Sequence, residues 1–231
     1  MNHPDEVEHR AALGPVLISH PNQRAGVIMA RELKNAGWLA SVVAESPGVK
    51  KPAVLIVDAG DAERAVADVA RTRRSDPHTP VLFLATTESF EDLLRIGTRP
   101  GDDYLTAPFT AADVASRLRW LTRTAVSASD PELTVGDLKL RPRCLLARRG
   151  DHEIPLTKTQ CSLLGLLMQN PGRVISKGEL ANRIWPDNNV RGANNVELHI
   201  SYLRQRINAA GPPMIHTRRG AGYLIRPAQV S

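Results

Sequence analysis

Two domains of different architecture are predicted in series. The first, over residues 15–124, is an α/β doubly wound parallel sheet, and the second, over 133–231, is a smaller α+β domain. Three observations carry that expectation. The first half alternates wholly apolar, strand-length runs with helical patterns, which is the mark of a parallel sheet covered on both faces. The second half opens with short strands punctuated by turn residues and continues with amphipathic helices. Charge divides along the same line: residues 1–132 hold 15 Lys/Arg and 18 Asp/Glu, a balance of −3, whereas residues 133–231 hold 15 and 6, a balance of +9.

In the first half, PVLIS (15–19), LASVV (39–43), AVLIVD (53–58) and PVLFLA (80–85) read as strands, with a short fifth at Asp103-Tyr104-Leu105. Helical patterns lie at 24–37, with apolar positions Val27, Ile28, Ala30, Leu33 and Ala36, and at 61–74, 88–96 and 110–123. A βα series of this length matches the flavodoxin-like doubly wound arrangement, which places its site at the strand carboxyl ends. The segment 125–132, AVSASDPE, is small, polar and Pro-bearing, and is expected to be a linker. The first ten residues, MNHPDEVEHR, hold acid and no apolar stretch, so no secretory signal is expected in them, and 1–14 is expected to be a disordered tail.

No apolar run approaches the length of a membrane span. Cys144 and Cys161 have neither metal-ligand pairing nor a CxxC arrangement, so reduced thiols in a cytoplasmic protein, with no metal or cofactor, are expected. No GxGxxG, P-loop or nucleophile-elbow motif follows any strand, which argues against an enzyme. Sensing of a small molecule or partner protein at the strand carboxyl ends stays open as an alternative.

The second half begins with strand-length pieces at 133–135, 138–141, 144–148 and 152–154, a small antiparallel sheet. Two capping boxes follow. Thr157 with Gln160 opens a helix through Leu163, Leu164, Leu166 and Leu167, stopped by Asn170-Pro171-Gly172. Ser176 with Glu179 opens another, through Leu180 and Ile184 to Trp185. A third helix spans 194–208, with Val196, Ile200, Leu203 and Ile207 as its buried stripe. Opposite lie Asn194, Leu198, Ser201 and Gln205, flanked by Asn195, His199, Tyr202, Arg204 and Arg206, with Glu197 the one acid. Residues 214–226 form two strands about a Gly-rich turn that carries Arg218 and Arg219. A basic module for a polyanion, joined to a slightly acidic partner domain, fits this division.

The residues 156–185, then NVELHISYLRQRI (195–207) and TRRGAGYLI (217–225), resemble the OmpR/PhoB family of response regulators across essentially all of 133–226. The resemblance implies a winged helix-turn-helix domain that binds double-stranded DNA, with the third helix in the major groove and the hairpin wing across the minor groove. It implies DNA contacts from Lys177, Asn194, Asn195, Leu198, His199, Ser201, Tyr202, Arg204, Arg218 and Arg219. Asn pairs well with adenine and Leu198 suits a thymine methyl, whereas His199 and Arg204 suit phosphates.

The first half resembles that family's receiver domain, with KPAVLIVD (51–58) placing Asp58 at the phosphoacceptor position. The paired acids of a receiver fall on His20 and Pro21, its lysine on Ala107, and its switch Thr/Ser on Ala85 or the adjacent Thr86. Mg²⁺ needs oxygen ligands that His20 and Pro21 lack, and the cation that would balance an acyl phosphate is missing. Phosphorylation-independent action is therefore expected, with a conventional regulator phosphorylated on Asp58 by a histidine kinase as the alternative. The resemblance also implies a homodimer through charged positions Asp103, Asp113 and Arg117, and RNA polymerase as a further partner.

Overall fold

A computed structural model describes residues 14–45, 51–86, 89, 99–122, 131–185 and 192–228. The chain divides into two compact units, Met1–Arg123 and Thr124–Ser231.

The first unit holds strands β1 (Val16–Ser19), β2 (Ala40–Val42), β3 (Val54–Asp58), β4 (Val81–Ala85) and β5 (Asp103–Thr106) in the order β2-β1-β3-β4-β5. All neighbours pair in parallel. Helices α1 (Gln23–Asn35), α2 (Ala62–Ser75) and α3 (Ala111–Thr122) lie between or after the strands. The strands are apolar at nearly every position because both faces are covered. Val16, Ile18, Val54, Ile56, Leu82 and Leu84 pack with Ala30 and Leu33 of α1 and Val114 and Leu118 of α3. The alternate residues Leu17, Leu55, Val57, Val81 and Phe83 are equally buried on the other face. Ser19 shares that face and donates to Asp68 of α2, which fixes where α2 lies. Right-handed crossovers from an inner strand outward in both directions require this split of helices. Asn22 caps α1 by accepting from the Ala25 N–H, and Asp61 caps α2 by accepting from that of Arg64. The helix expected at 88–96 lies outside the described residues.

In the second unit, β6 (Leu133–Val135), β7 (Leu138–Arg141), β8 (Leu146–Arg149) and β9 (His152–Pro155) form an antiparallel meander. The third strand starts two residues later than the sequence predicts. Pro142 opens a 3₁₀ turn over Pro142–Cys144, and Leu145 takes a left-handed conformation at φ 50° before pairing begins.

Helices α4 (Lys158–Met168), α5 (Lys177–Ile184) and α6 (Gly192–Asn208) follow, then the hairpin β10 (Ile215–Arg218) and β11 (Gly222–Ile225). The capping box at Thr157 and Gln160 is complete in both directions. At α5 Ser176 accepts from the Glu179 N–H, but the Glu179 carboxylate lies against Arg173 and Arg183, so a surface ion cluster takes the place of the expected return bond.

The core joins Leu163, Leu164 and Leu167 of α4, Leu180 and Ile184 of α5, and Val196, Ile200, Leu203 and Ile207 of α6, all essentially inaccessible. Each such side chain contributes about 1.5–3 kcal/mol on burial. Two devices hold the hairpin and α6 in place. Ile175 and Tyr223 exchange backbone hydrogen bonds of 2.8 and 2.9 Å, and a Cβ on Gly222, at φ +144°, would stand 2.1 Å from the Ile175 carbonyl oxygen. Arg149, fully buried, donates at 3.0 Å both to Asp137 and to the Ile207 carbonyl at the end of α6, which satisfies one of the carbonyls a helix end leaves open.

Candidate functional site

The chemistry of α6 depends on which side chains its packing leaves outside. Beyond the apolar stripe, Asn195, His199 and Tyr202 are also buried, so the covered sector is wider than the stripe alone suggests. His199 packs at 5.9 Å from the Trp185 ring. Burial pushes the Tyr202 phenol up to about 12. These three positions depart from the sequence expectation: as they stand they are buried within the protein. The side chain of Asn194 lies outside the described residues.

The exposed sector is Glu197, Ser201 and Gln205, one helical turn apart, edged by the half-exposed Leu198 and Arg204. Leu198 and Ser201 therefore stay on the surface where the sequence puts them. Glu197 and Gln205 were not among the expected contacts. Their i, i+4, i+8 spacing through Ser201 was the signal available for finding them.

Arg204 also departs from expectation. Its Nε donates to the Ile215 carbonyl at 3.1 Å and an Nη to Thr217 Oγ1 at 2.7 Å, and its guanidinium lies 5.6 Å from the Tyr223 ring centroid. The group expected to hold phosphate instead ties α6 to β10 and β11. Lys177, at the start of α5, forms an ion pair with Glu197 across to α6, and the hydrogen bond to Glu197 holds its ammonium above the usual lysine range. Arg218 and Arg219 are exposed at the hairpin tip, where Gly220 at φ +71° makes the turn. Among the described residues neither has a side-chain partner. The surface thus consists of a helix face of neutral hydrogen-bonding groups and one acid, locked beside a hairpin that presents two free cations.

At the carboxyl ends of the parallel strands, Asp58 Oδ1 accepts the Gly60 N–H at 2.8 Å. Its Oδ2 lies 3.4 Å from His20 Nε2. His20 Nδ1 in turn accepts the Asn22 N–H at 3.0 Å. A ring nitrogen that accepts cannot carry the proton, so the neutral imidazole holds its hydrogen on Nε2, facing Asp58. Thr86 is engaged with Ser89, whose Oγ accepts the Thr86 N–H at 2.9 Å while Thr86 Oγ1 accepts the Ser89 N–H at 3.2 Å. Ala107, which the resemblance sets at the receiver's lysine, offers a methyl group. One carboxylate, one imidazole donor and Pro21 do not fit a Mg²⁺ ion, which wants an octahedron of oxygens. No group of three potential metal-ligating side chains occurs among the described residues.

The charged positions expected at a dimer interface are interior. Asp103 and Arg117 pair at 3.3 Å within the same unit and are both buried. Burial brings the Arg117 guanidinium down to about 10, against the pull of the Asp103 carboxylate. Asp113 caps its own helix, accepting from the Thr110 N–H at 2.6 Å and the Thr110 hydroxyl at 2.7 Å. Strand β5 and helix α3 bring these groups together inside one chain, so as placed they are not free to pair across a two-fold axis.

Residues 151–225 match the family model described as "Transcriptional regulatory protein, C terminal". The chain is 37% identical to "Probable transcriptional regulatory protein TcrX" of Mycobacterium tuberculosis, over 85% of this chain and 88% of that protein. It is 32% identical to "Response regulator MprA" of Mycobacterium avium, over 76% of this chain and 79% of that one. A solved structure of a RitR mutant superposes with a TM-score of 0.58 at 18% identity, covering 93% of this chain and all of that one, and shares the fold.

Proposed function

The chain belongs to the OmpR/PhoB family of DNA-binding transcriptional regulators, and we propose that it binds duplex DNA without needing an aspartyl phosphate. The observation that carries this reading is the joined pair of surfaces in the second unit. The exposed stripe of α6 presents Ser201 and Gln205, neutral hydrogen-bonding groups that suit base edges in a major groove. The hairpin, fixed to it through Arg204, carries Arg218 and Arg219 to the adjacent phosphates or minor groove. The +9 balance of residues 133–231 supplies the electrostatic attraction.

Independence from phosphate rests on Asp58. One of its oxygens accepts the Gly60 N–H and the other lies 3.4 Å from the His20 imidazole, and the groups that would bind Mg²⁺ and balance an acyl phosphate are absent from positions 20, 21 and 107. A second reading, in which a histidine kinase phosphorylates Asp58, is favoured by its place at the end of β3 with about a quarter of its side chain accessible. The protein acts by binding rather than catalysis, as a cytoplasmic homodimer that engages RNA polymerase. Because Asp103, Asp113 and Arg117 are buried within their own unit, we place the dimer contact elsewhere.

Selection from a random duplex pool tests the DNA-binding reading. Wild type should enrich a defined site and Arg219→Ala should bind that site more weakly. A pool that returns unenriched, or a wing variant that binds as wild type does, would overturn it.

A further inference from the structure

Glu197 is the single acid on α6, and it stands at the N-terminal end of the exposed sector, where a negative charge opposes a polyanion. It is not an idle charge. Its carboxylate forms an ion pair with Lys177, 20 residues earlier on α5, and both side chains are about half accessible. Lys177 lies at the N-terminus of α5, next to the capping Ser176, where the helix dipole and open N–H groups favour an anion. Two anions thus have a claim on one ammonium: the carboxylate of Glu197 and a DNA phosphate. Among the described residues, Arg173 just before α5 and Arg183 within it are held by Glu179, so Lys177 is not simply one of many interchangeable charges.

We propose that Glu197 restrains Lys177 from DNA phosphates, and so limits affinity for duplexes whose base edges give Glu197 no donor. On such DNA the pair stays closed, Lys177 neutralises no phosphate, and Glu197 adds repulsion. A base that presents an exocyclic amino group in the major groove offers Glu197 another hydrogen bond and releases Lys177 to the backbone. Base readout and one phosphate contact then rise and fall together, and discrimination comes from holding non-cognate affinity down. The inference rests on the DNA-binding reading above and adds to it a determinant of specificity.

The test uses the full chain and a random-sequence duplex, titrated from low to physiological salt. Glu197→Gln should bind that duplex about two- to fivefold more tightly, the scale of an exposed ion pair. Its slope of log K against log salt should be steeper by about 0.9, one extra phosphate neutralised. In a Lys177→Met background, the same Glu197→Gln change should leave the slope unaltered and most of the gain should vanish. If wild type binds duplex but Glu197→Gln matches it in affinity and slope, the inference falls and the DNA-binding reading stands. A gain that persists undiminished with Lys177→Met would show that Glu197 only repels DNA, and also overturns it. If wild type binds no duplex even at low salt, both readings fall together.

Discussion

Replacing Arg204 with Met separates two roles that the same side chain can serve. In the structure the guanidinium makes two hydrogen bonds to the hairpin, at 3.1 and 2.7 Å, and lies over the Tyr223 ring. Each hydrogen bond contributes about 0.5–1.5 kcal/mol net, and an exposed cation–π contact about 0.5–1 kcal/mol. Arg204→Met keeps the apolar stem and should loosen the hairpin from α6 by about 1.5–4 kcal/mol. The assay is a double-mutant cycle with Arg219→Ala, read as affinity for duplex DNA at several salt concentrations. If Arg204 positions the wing, the loss from Arg219→Ala should shrink in the Arg204→Met background, with a coupling of about 0.5–3 kcal/mol. The salt slope of Arg204→Met alone should stay near that of wild type. Additive losses, together with a slope shallower by about 0.9 for Arg204→Met, would refute the argument and return Arg204 to phosphate contact.

Three other substitutions have distinct signatures. Gly222→Ala places a methyl 2.1 Å from the Ile175 carbonyl, so thermal unfolding should show a loss of more than about 2 kcal/mol; a stability equal to wild type would contradict the close approach. Arg117→Ala leaves the buried Asp103 uncompensated, and should cost about 3–5 kcal/mol in denaturant unfolding of the first unit. A loss under 1 kcal/mol would mean that the pair is solvated and open to a partner. On a selected DNA site, Gln205→Ala should relax preference at one base pair by about 1–3 kcal/mol. Asn195→Ala should lower stability without changing the preferred sequence, and the opposite assignment of the two effects would contradict the burial described here.

The parallel sheet is legible because its strands are unbroken apolar runs, and Val54–Val57 or Val81–Leu84 can be buried on both sides only in such a fold. The helix starts are legible because Thr157 and Ser176 satisfy local N–H groups, and that chemistry spans three residues. What escapes the sequence is set by neighbours far along the chain. Polar Asn195, His199 and Tyr202 look like surface groups until Trp185 and the rest of the helical core cover them. Asp103 and Arg117 look like surface charges because only the strand-to-helix geometry brings them together in the interior. Glu197 and Lys177 sit on different helices, so no local pattern reveals their pairing, and the hold of Arg204 on the hairpin depends on β10 folding beside α6. The departures at His20, Pro21 and Ala107 were legible as missing oxygens and a missing cation. The short path from Asn22 through His20 to Asp58 was not.

Whether Asp58 carries a phosphoryl group in use decides between the two modes of regulation. Wild type and Asp58→Ala should be incubated with Mg²⁺ and a small-molecule phosphodonor, or with neither. Each sample is then titrated against the selected duplex, while intact mass records any added phosphoryl group. Wild type should show no mass increase, and all four samples should share one affinity within about twofold (~0.4 kcal/mol). A phosphoryl adduct on wild type that tightens DNA binding severalfold, and that disappears in Asp58→Ala, would contradict phosphate-independent binding.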